Sequence, residues 1–215
     1  MRLSSFTRVP AIAATLILSS LLVACGQTSA QASKTATEEM PANTAVAVFA
    51  GGCFWCTESD FDHMPGVLST ISGYSGGRVR NPSYEQVSAG NTGHIEAVRI
   101  SYDPARISYS SLVDRFFRTI DPLDSGGSFC DRGYQYRSAI FVATAEERRI
   151  AEAAKARVEQ ELGAEVATLI LPRRAFYRAE EYHQDYYRKN PVRYRFYRWN
   201  CGREARLGEV WERRR

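Results

Sequence analysis

Apolar residues run together in some stretches of this chain and alternate in others. Ala45-Val46-Ala47-Val48-Phe49-Ala50 is continuous and closed by Gly51 and Gly52, the pattern of a short buried strand. Cys53 to about Met64 reads as the helix that follows, and Val67 to Tyr74 as a second strand, broken into a loop by Gly73, Gly76 and Gly77. Asn81-Pro82 marks a turn, with Ser83 as N-cap of a short helix over 83–87. His94 to Tyr102 alternates: His94, Glu96, Val98, Ile100 and Tyr102 share one strand face. Tyr109, Leu112, Val113, Phe116, Phe117 and Ile120 recur at helical spacing and stop at Asp121-Pro122. After a glycine-containing loop over 124–133, Ala139 to Val142 reads as a strand. Thr144 with Glu147 opens a long helix that ends at Gly163. The pattern then predicts a strand over Val166–Leu171, a helix over Ala179–Asn190 stopped by Pro191, and a helix from Arg203 to Trp211. Alternating helices and strands place the chain in the α+β or α/β classes, with the strands pairing into one mixed sheet.

The 215 residues are enough for one domain with a core, and 44% hydrophobic with 24% charged residues is ordinary for a globular protein. Residues 1–25 depart from that picture. Arg2 and Arg8 precede an apolar run over 11–24, the layout of a secretory signal too short to span a bilayer comfortably. It ends in Leu22-Val23-Ala24-Cys25, which resembles a bacterial lipobox with Cys25 as the lipidated residue. Residues 26–44 are rich in Ala, Ser, Thr and Gln and read as a flexible tether, leaving 45–215 as the folded domain. The expected location is the bacterial cell envelope, with a lipid anchor to the membrane. Arg193, Arg195 and Arg198 alternate with Tyr194, Phe196, Tyr197 and Trp199, a composition also found on nucleic-acid surfaces. An exported chain does not meet nucleic acid, so the aromatics are expected to pack the tail onto the domain while the arginines stay solvated. Binding to nucleic acid is not expected.

Candidate chemistry centres on Cys53. At a strand-to-helix junction the free N–H groups and partial positive charge of the helix start favour a thiolate and lower the cysteine pKa. Phe54 and Trp55 set two apolar rings beside the sulfur, and the glycines before it let a substrate approach the backbone. Glu96, on a strand face with Val98 and Ile100, is expected to be desolvated, with a raised pKa that keeps it protonated near neutral pH. The five cysteines, Cys25, Cys53, Cys56, Cys130 and Cys201, are too few for a disulfide-stapled scaffold of this length. Cys53-x-x-Cys56 lacks the second close pair of a zinc ribbon and fits a redox dithiol better, so no metal is expected. A thioredoxin-like disulfide oxidoreductase using Cys53 and Cys56 is the alternative reading.

Six motifs in order give a sharper one: Gly52-Cys53-Phe54-Trp55, Gly73-Tyr74-Ser75-Gly76-Gly77, Asn81-Pro82-Ser83-Tyr84, Gly93-His94-Ile95-Glu96-Ala97-Val98, Gln135-Tyr136-Arg137-Ser138-Ala139-Ile140 and Glu181-Tyr182-His183-Gln184. From about Val46 to Trp211 the chain resembles the A-type peptide-methionine sulfoxide reductases. The resemblance implies an α/β sandwich with a mixed sheet, flanking helices and substantial coil. It implies reduction of the S epimer of methionine sulfoxide, in proteins and free, without metal or organic cofactor. Cys53 would be the nucleophile and Glu96 the proton donor. Tyr84 and Tyr136 would hydrogen-bond the sulfoxide oxygen, with Asp131 near the same pocket, and Phe54 and Trp55 would hold the methyl group. Cys53 would become a sulfenic acid, condensed to an intramolecular disulfide by a second thiol. Many members carry glycine at the Cys56 position and use a cysteine from a glycine-rich tail. Here the tail offers Cys201 without that glycine richness, so Cys201 is favoured slightly over Cys56, with Cys130 third. The partners implied are oxidised proteins and a thioredoxin-like reductant, and a monomer is expected.

Overall fold

The computed structural model describes residues 43–212. The signal segment, the Cys25 motif and nearly all of the tether lie outside the described residues. Strand β1 (Ala45–Gly51) lies inside a six-stranded sheet. On one side follow β3 (Ile95–Tyr102), β2 (Val67–Ser75) and β8 (Phe176–Arg178); on the other, β6 (Ser138–Val142) and β7 (Leu169–Pro172). Only β6 and β7 pair in parallel, so the sheet is mixed.

The continuous apolar run of β1 has a direct cause: both of its faces are covered. Ala47 and Phe49 join the main core with Val98, Ile100 and the buried side of helix α3 (Tyr109–Arg118). Val48 and Ala50 pack on the other face against Ile95, Ala97, Ala139 and Phe141. Each fully buried Val, Ile or Phe among them contributes roughly 1.5–3 kcal/mol, the alanines less. Helix α4 (Ala145–Leu162) is capped by Thr144, whose side chain accepts the Glu147 N–H, and closes at Gly163 in the left-handed conformation. Its Ala151, Ala154, Val158 and Leu162 complete the main core.

Several expectations are corrected. The helix after the glycine pair, α1, is shorter than expected and covers Phe54–Phe61. The strand expected over Val166–Leu171 begins only at Leu169. Sequence reading missed β8 and the small hairpin of β4 (Gly127–Ser128) and β5 (Asp131–Arg132), which are too short to show a period.

The helix expected over Ala179–Asn190 does not form. It is divided into a 3-10 turn at Glu181–His183 and a single turn, α5 (Tyr186–Lys189). Between them the buried Gln184 amide serves as a surrogate strand partner for β2: its Oε1 accepts from Ser72 N–H at 3.0 Å, and its Nε2 donates to Ser72 O and Ala179 O, both at 2.9 Å. Asp185 then takes a left-handed φ of 52°, and its N–H donates to buried Glu58 at 3.0 Å. Pro191, read as a stop, is the first residue of α6 (Pro191–Asn200), where its missing N–H costs nothing. Helix α7 spans Arg203–Trp211, as expected.

The tail aromatics also divide. Tyr194 is buried and Tyr197 half-buried, but Phe196 and Trp199 are exposed. Nor are all the arginines solvated. Arg198 pairs with Asp60 at 2.8 Å, and Arg203, 2% exposed, donates to Thr119 O at 2.6 Å, Asp60 at 3.2 Å and Gly51 O at 3.4 Å.

Glu58 supplies a stability test. Burial, with the Asp185 charge adding to it, lifts its carboxyl from 4.5 to about 7. The native state thus binds a proton that the unfolded chain releases, so this contribution is full below 4.5 and is lost as pH rises toward 7. Glu58→Gln is expected to erase about 3 kcal/mol of the wild-type stability loss between about pH 4 and about pH 8, read by urea unfolding across that range.

Candidate active site

The site is built at the end of β1, where the chain must turn sharply into α1. Gly52 has φ 87°, and a Cβ there would meet the Ser128 Cβ at 2.4 Å, so only glycine fits. Cys53 follows as the N-cap residue, and its carbonyl accepts the Cys56 N–H at 3.1 Å and the Thr57 N–H at 3.3 Å. Cys53 and Cys56 are both buried free thiols, packed in one cluster with Tyr194.

The expected lowering of the Cys53 pKa is corrected. Its thiol is raised well above the ordinary range, first by burial, then by the hydrogen bond and charge of Cys56 and by the charges of Glu96 and Asp131. The reason is local. The helix-start N–H of Phe54 donates to Glu96 Oε2 at 3.0 Å, so it is not free for the sulfur. Cys56 moves the other way, to about 7: the hydrogen bond from Cys53 stabilises its thiolate against burial, with Arg203 and Arg198 adding to the effect. The opposite shifts link the ionisation of the two sulfurs.

Glu96 lies on β3 opposite Tyr74 of β2 and is 3% exposed. Burial lifts its carboxyl to about 8 against the opposing Phe54 N–H, and the Asp131 and Cys56 charges push the same way as burial. It is therefore a neutral acid at neutral pH, as its strand neighbours predict.

Tyr84 opens α2 (Tyr84–Ser88), held by the Ser83–Gln86 capping box, and Tyr136 ends a 3-10 turn at Tyr134–Tyr136. Both hydroxyls have raised pKa values, by burial first and the Glu96 charge next. Asp131 comes from β5, its carboxyl raised by burial, and accepts a hydrogen bond from the Tyr197 hydroxyl of α6. The structure thus gathers Cys53, Glu96, Tyr84, Tyr136 and Asp131 into one electrostatically linked cluster.

Phe54 and Trp55 differ in role. Phe54 is buried against Tyr74 and His183, with ring centroids at 5.9 and 4.9 Å. Trp55 is half-buried, stacked on Tyr186 at 3.7 Å and met edge-on by Tyr197 at 5.8 Å. Its indole N–H donates to His183 Nδ1 at 3.0 Å, which leaves the ring proton of the neutral histidine on Nε2. Burial lowers the His183 pKa and favours that neutral form. Sequence reading assigned no site role to Tyr186, Tyr197 or His183. The i, i+3 spacing of Tyr194 and Tyr197 on one helix face was the available signal.

The family model for peptide methionine sulfoxide reductase matches residues 45–215. The chain belongs to that family. The reductase is 51% identical over 169 residues to peptide methionine sulfoxide reductase MsrA 2 of Caulobacter vibrioides, covering 78% of this chain and 86% of the relative. It is 47% identical over 171 residues to MsrA of Bacillus licheniformis, covering 79% and 94%. Among solved structures it resembles reduced Mxr1 of Saccharomyces cerevisiae (TM-score 0.66, 34% identity, 71% of this chain and 89% of that one). It also resembles methionine sulfoxide reductase A of Corynebacterium diphtheriae (TM-score 0.64, 32% identity, 72% and 78%). The chain is an A-type methionine sulfoxide reductase, an oxidoreductase with the α+β fold expected of it.

The two other cysteines among the described residues are paired with each other. Cys201, at the C-cap of α6, is disulfide-bonded to Cys130, 71 residues earlier, with Cα atoms 4.9 Å apart. Donor atoms of Cys130, Asp131 and Cys201 lie within 4.8 Å of one another, but sulfurs joined in a disulfide are not thiolate ligands.

Proposed function

We propose that the reductase acts on the S epimer of methionine sulfoxide, in proteins and free, with Cys53 as nucleophile and Cys56 as resolving thiol. The observation that carries the reading is the buried Glu96 carboxyl bonded to the first N–H of the helix that presents Cys53. Sulfoxide reduction needs a proton at the oxygen and a thiolate at the sulfur together. The Cys53 proton moves to the Cys56 thiolate, and the freed Cys53 thiolate attacks the sulfoxide sulfur. Glu96 protonates the departing oxygen, Tyr84 and Tyr136 hydrogen-bond it, and Asp131 lies beside the same oxygen. Trp55, fixed by His183 and Tyr186, and the buried Phe54 ring bound the apolar slot for the methyl group. The sulfur gains an electron pair and leaves as methionine. The bond between Cys53 and the substrate sulfur breaks as the protonated oxygen passes from that sulfur to Cys53, which gives up the electron pair and is left oxidised as a sulfenic acid.

Cys56 then displaces water from the sulfenic acid to give a Cys53–Cys56 disulfide. Its free thiol, packed beside Cys53 one helical turn away, supports this role over Cys201, whose sulfur is held by Cys130. An external dithiol protein of the thioredoxin type would return the pair to thiols, with no metal or organic cofactor. The N-terminal signal and the Cys25 motif support an exported, lipid-anchored protein of the bacterial envelope, working as a monomer on oxidised envelope proteins.

The test is a single turnover without external reductant, on a peptide carrying each sulfoxide epimer, with free thiols counted. The wild type is expected to give methionine from the S epimer only and to lose the Cys53 and Cys56 thiols together. Methionine from neither epimer with Cys53 reduced would overturn the reading in favour of the dithiol oxidoreductase.

A further inference from the structure

Helix α6 is amphipathic in the wrong direction for a helix that only packs inward. Its inner face carries Tyr194 and Tyr197 toward the cysteines. Its outer face carries Val192, Phe196 and Trp199, at i, i+4 and i+7, which are 71%, 63% and 73% exposed. The last two rings touch at 6.0 Å. Arg193 and Arg195 flank this stripe; both are exposed, and neither makes an ion pair among the described residues. An aromatic stripe with unpaired arginines along its borders has the composition of a helix lying in a lipid interface, rings toward the acyl boundary and cations among anionic headgroups.

We infer that this face of α6 docks on an anionic lipid bilayer. For the nearness of that bilayer the inference rests on the proposed Cys25 anchor. Residues 26–44 can extend to roughly 60 Å, whereas β1, which joins the tether to the active-site end, is roughly 20 Å long. The chain is therefore long enough for the α6 end of the domain to reach the surface that holds Cys25. Because the inner face of α6 lines the cysteine site, docking sets the reductase to work on methionine sulfoxides presented at the membrane surface. The cation pair supplies the preference for anionic lipid, and removing both charges is expected to weaken the docking equilibrium constant about 30-fold.

The experiment uses the full chain with vesicles of phosphatidylglycerol and phosphatidylethanolamine brominated on the acyl chains. Flotation reports the anchor, and bromine quenching of tryptophan fluorescence reports the stripe. Strong quenching is expected, and Trp199→Phe should remove its major component. Arg193→Gln with Arg195→Gln should raise the lipid concentration for half-maximal quenching about 30-fold, and omission of phosphatidylglycerol should raise it likewise. Peptide sulfoxide reduction in solution should be unchanged in each variant, which shows that the fold is intact. Quenching at raised vesicle concentration in a chain that does not float would uphold the stripe and reject the anchor. Trp199 unquenched in both situations would overturn the inference. Self-association abolished by Phe196→Ser would overturn it as well, by assigning the face to a second copy.

Discussion

Glu96→Gln is expected to lower kcat/KM for methionine sulfoxide by about 10²- to 10⁴-fold, the usual range for loss of a positioned proton donor. Glutamine keeps the carbonyl that accepts the Phe54 N–H, so the turn around Cys53 should survive. What disappears is the proton. The pH profile distinguishes this from a structural defect. With Glu96 held at about 8 by burial, the wild-type rate should fall as pH rises through that value. The glutamine variant should lack that limb and keep only the limbs set by the sulfur pair. Rates measured from about pH 6 to about pH 10 read both effects. A Glu96→Gln variant within a few-fold of wild type, still showing the alkaline decline, would remove Glu96 from the chemistry.

Cys56→Ser has the second large effect, and it splits by assay. The first methionine should still form, because the nucleophile and the acid remain. Turnover with a dithiol protein as reductant should then stop, leaving Cys53 as a sulfenic acid that dimedone traps. The first step itself should slow, since the serine hydroxyl is a far poorer acceptor for the Cys53 proton than a thiolate whose pKa is about 7. Cys201→Ser should show neither change and keep multiple turnover. If Cys201→Ser halts recycling and Cys56→Ser does not, the two cysteines exchange roles.

Much of this was legible in the sequence because it depends on local pattern. Alternation along His94–Tyr102 put Glu96 on the core face, and a carboxyl there must be desolvated. The glycine pair located the turn, and the caps at Ser83 and Thr144 formed as their side chains predict. What failed depends on contacts between distant residues. The Ala179–Asn190 helix has good local propensity but loses to the Gln184 amide, which satisfies the edge of β2 at a separation of 112 residues. The Cys53 thiol was read from its own helix start, whereas its surroundings are set by Cys56, Glu96 and Asp131. The Cys130–Cys201 bond joins a hairpin loop to a helix end, and no spacing rule links positions so far apart.

Buried Arg203 has a consequence for synthesis. Its guanidinium ties the start of α7 to the carbonyl of Gly51, the residue that opens the nucleophile turn, and to Asp60 on α1. Tyr194 and Tyr197, which cover the cysteines, also come from the C-terminal part of the chain. A polypeptide still emerging from the ribosome or from an export channel therefore has Cys53 and Cys56 but not the parts that enclose them. Catalytic competence arrives with the final helices. Until then the two thiols are exposed to whatever oxidant or folding factor surrounds the chain, so assembly of this enzyme is itself redox-sensitive for as long as synthesis lasts.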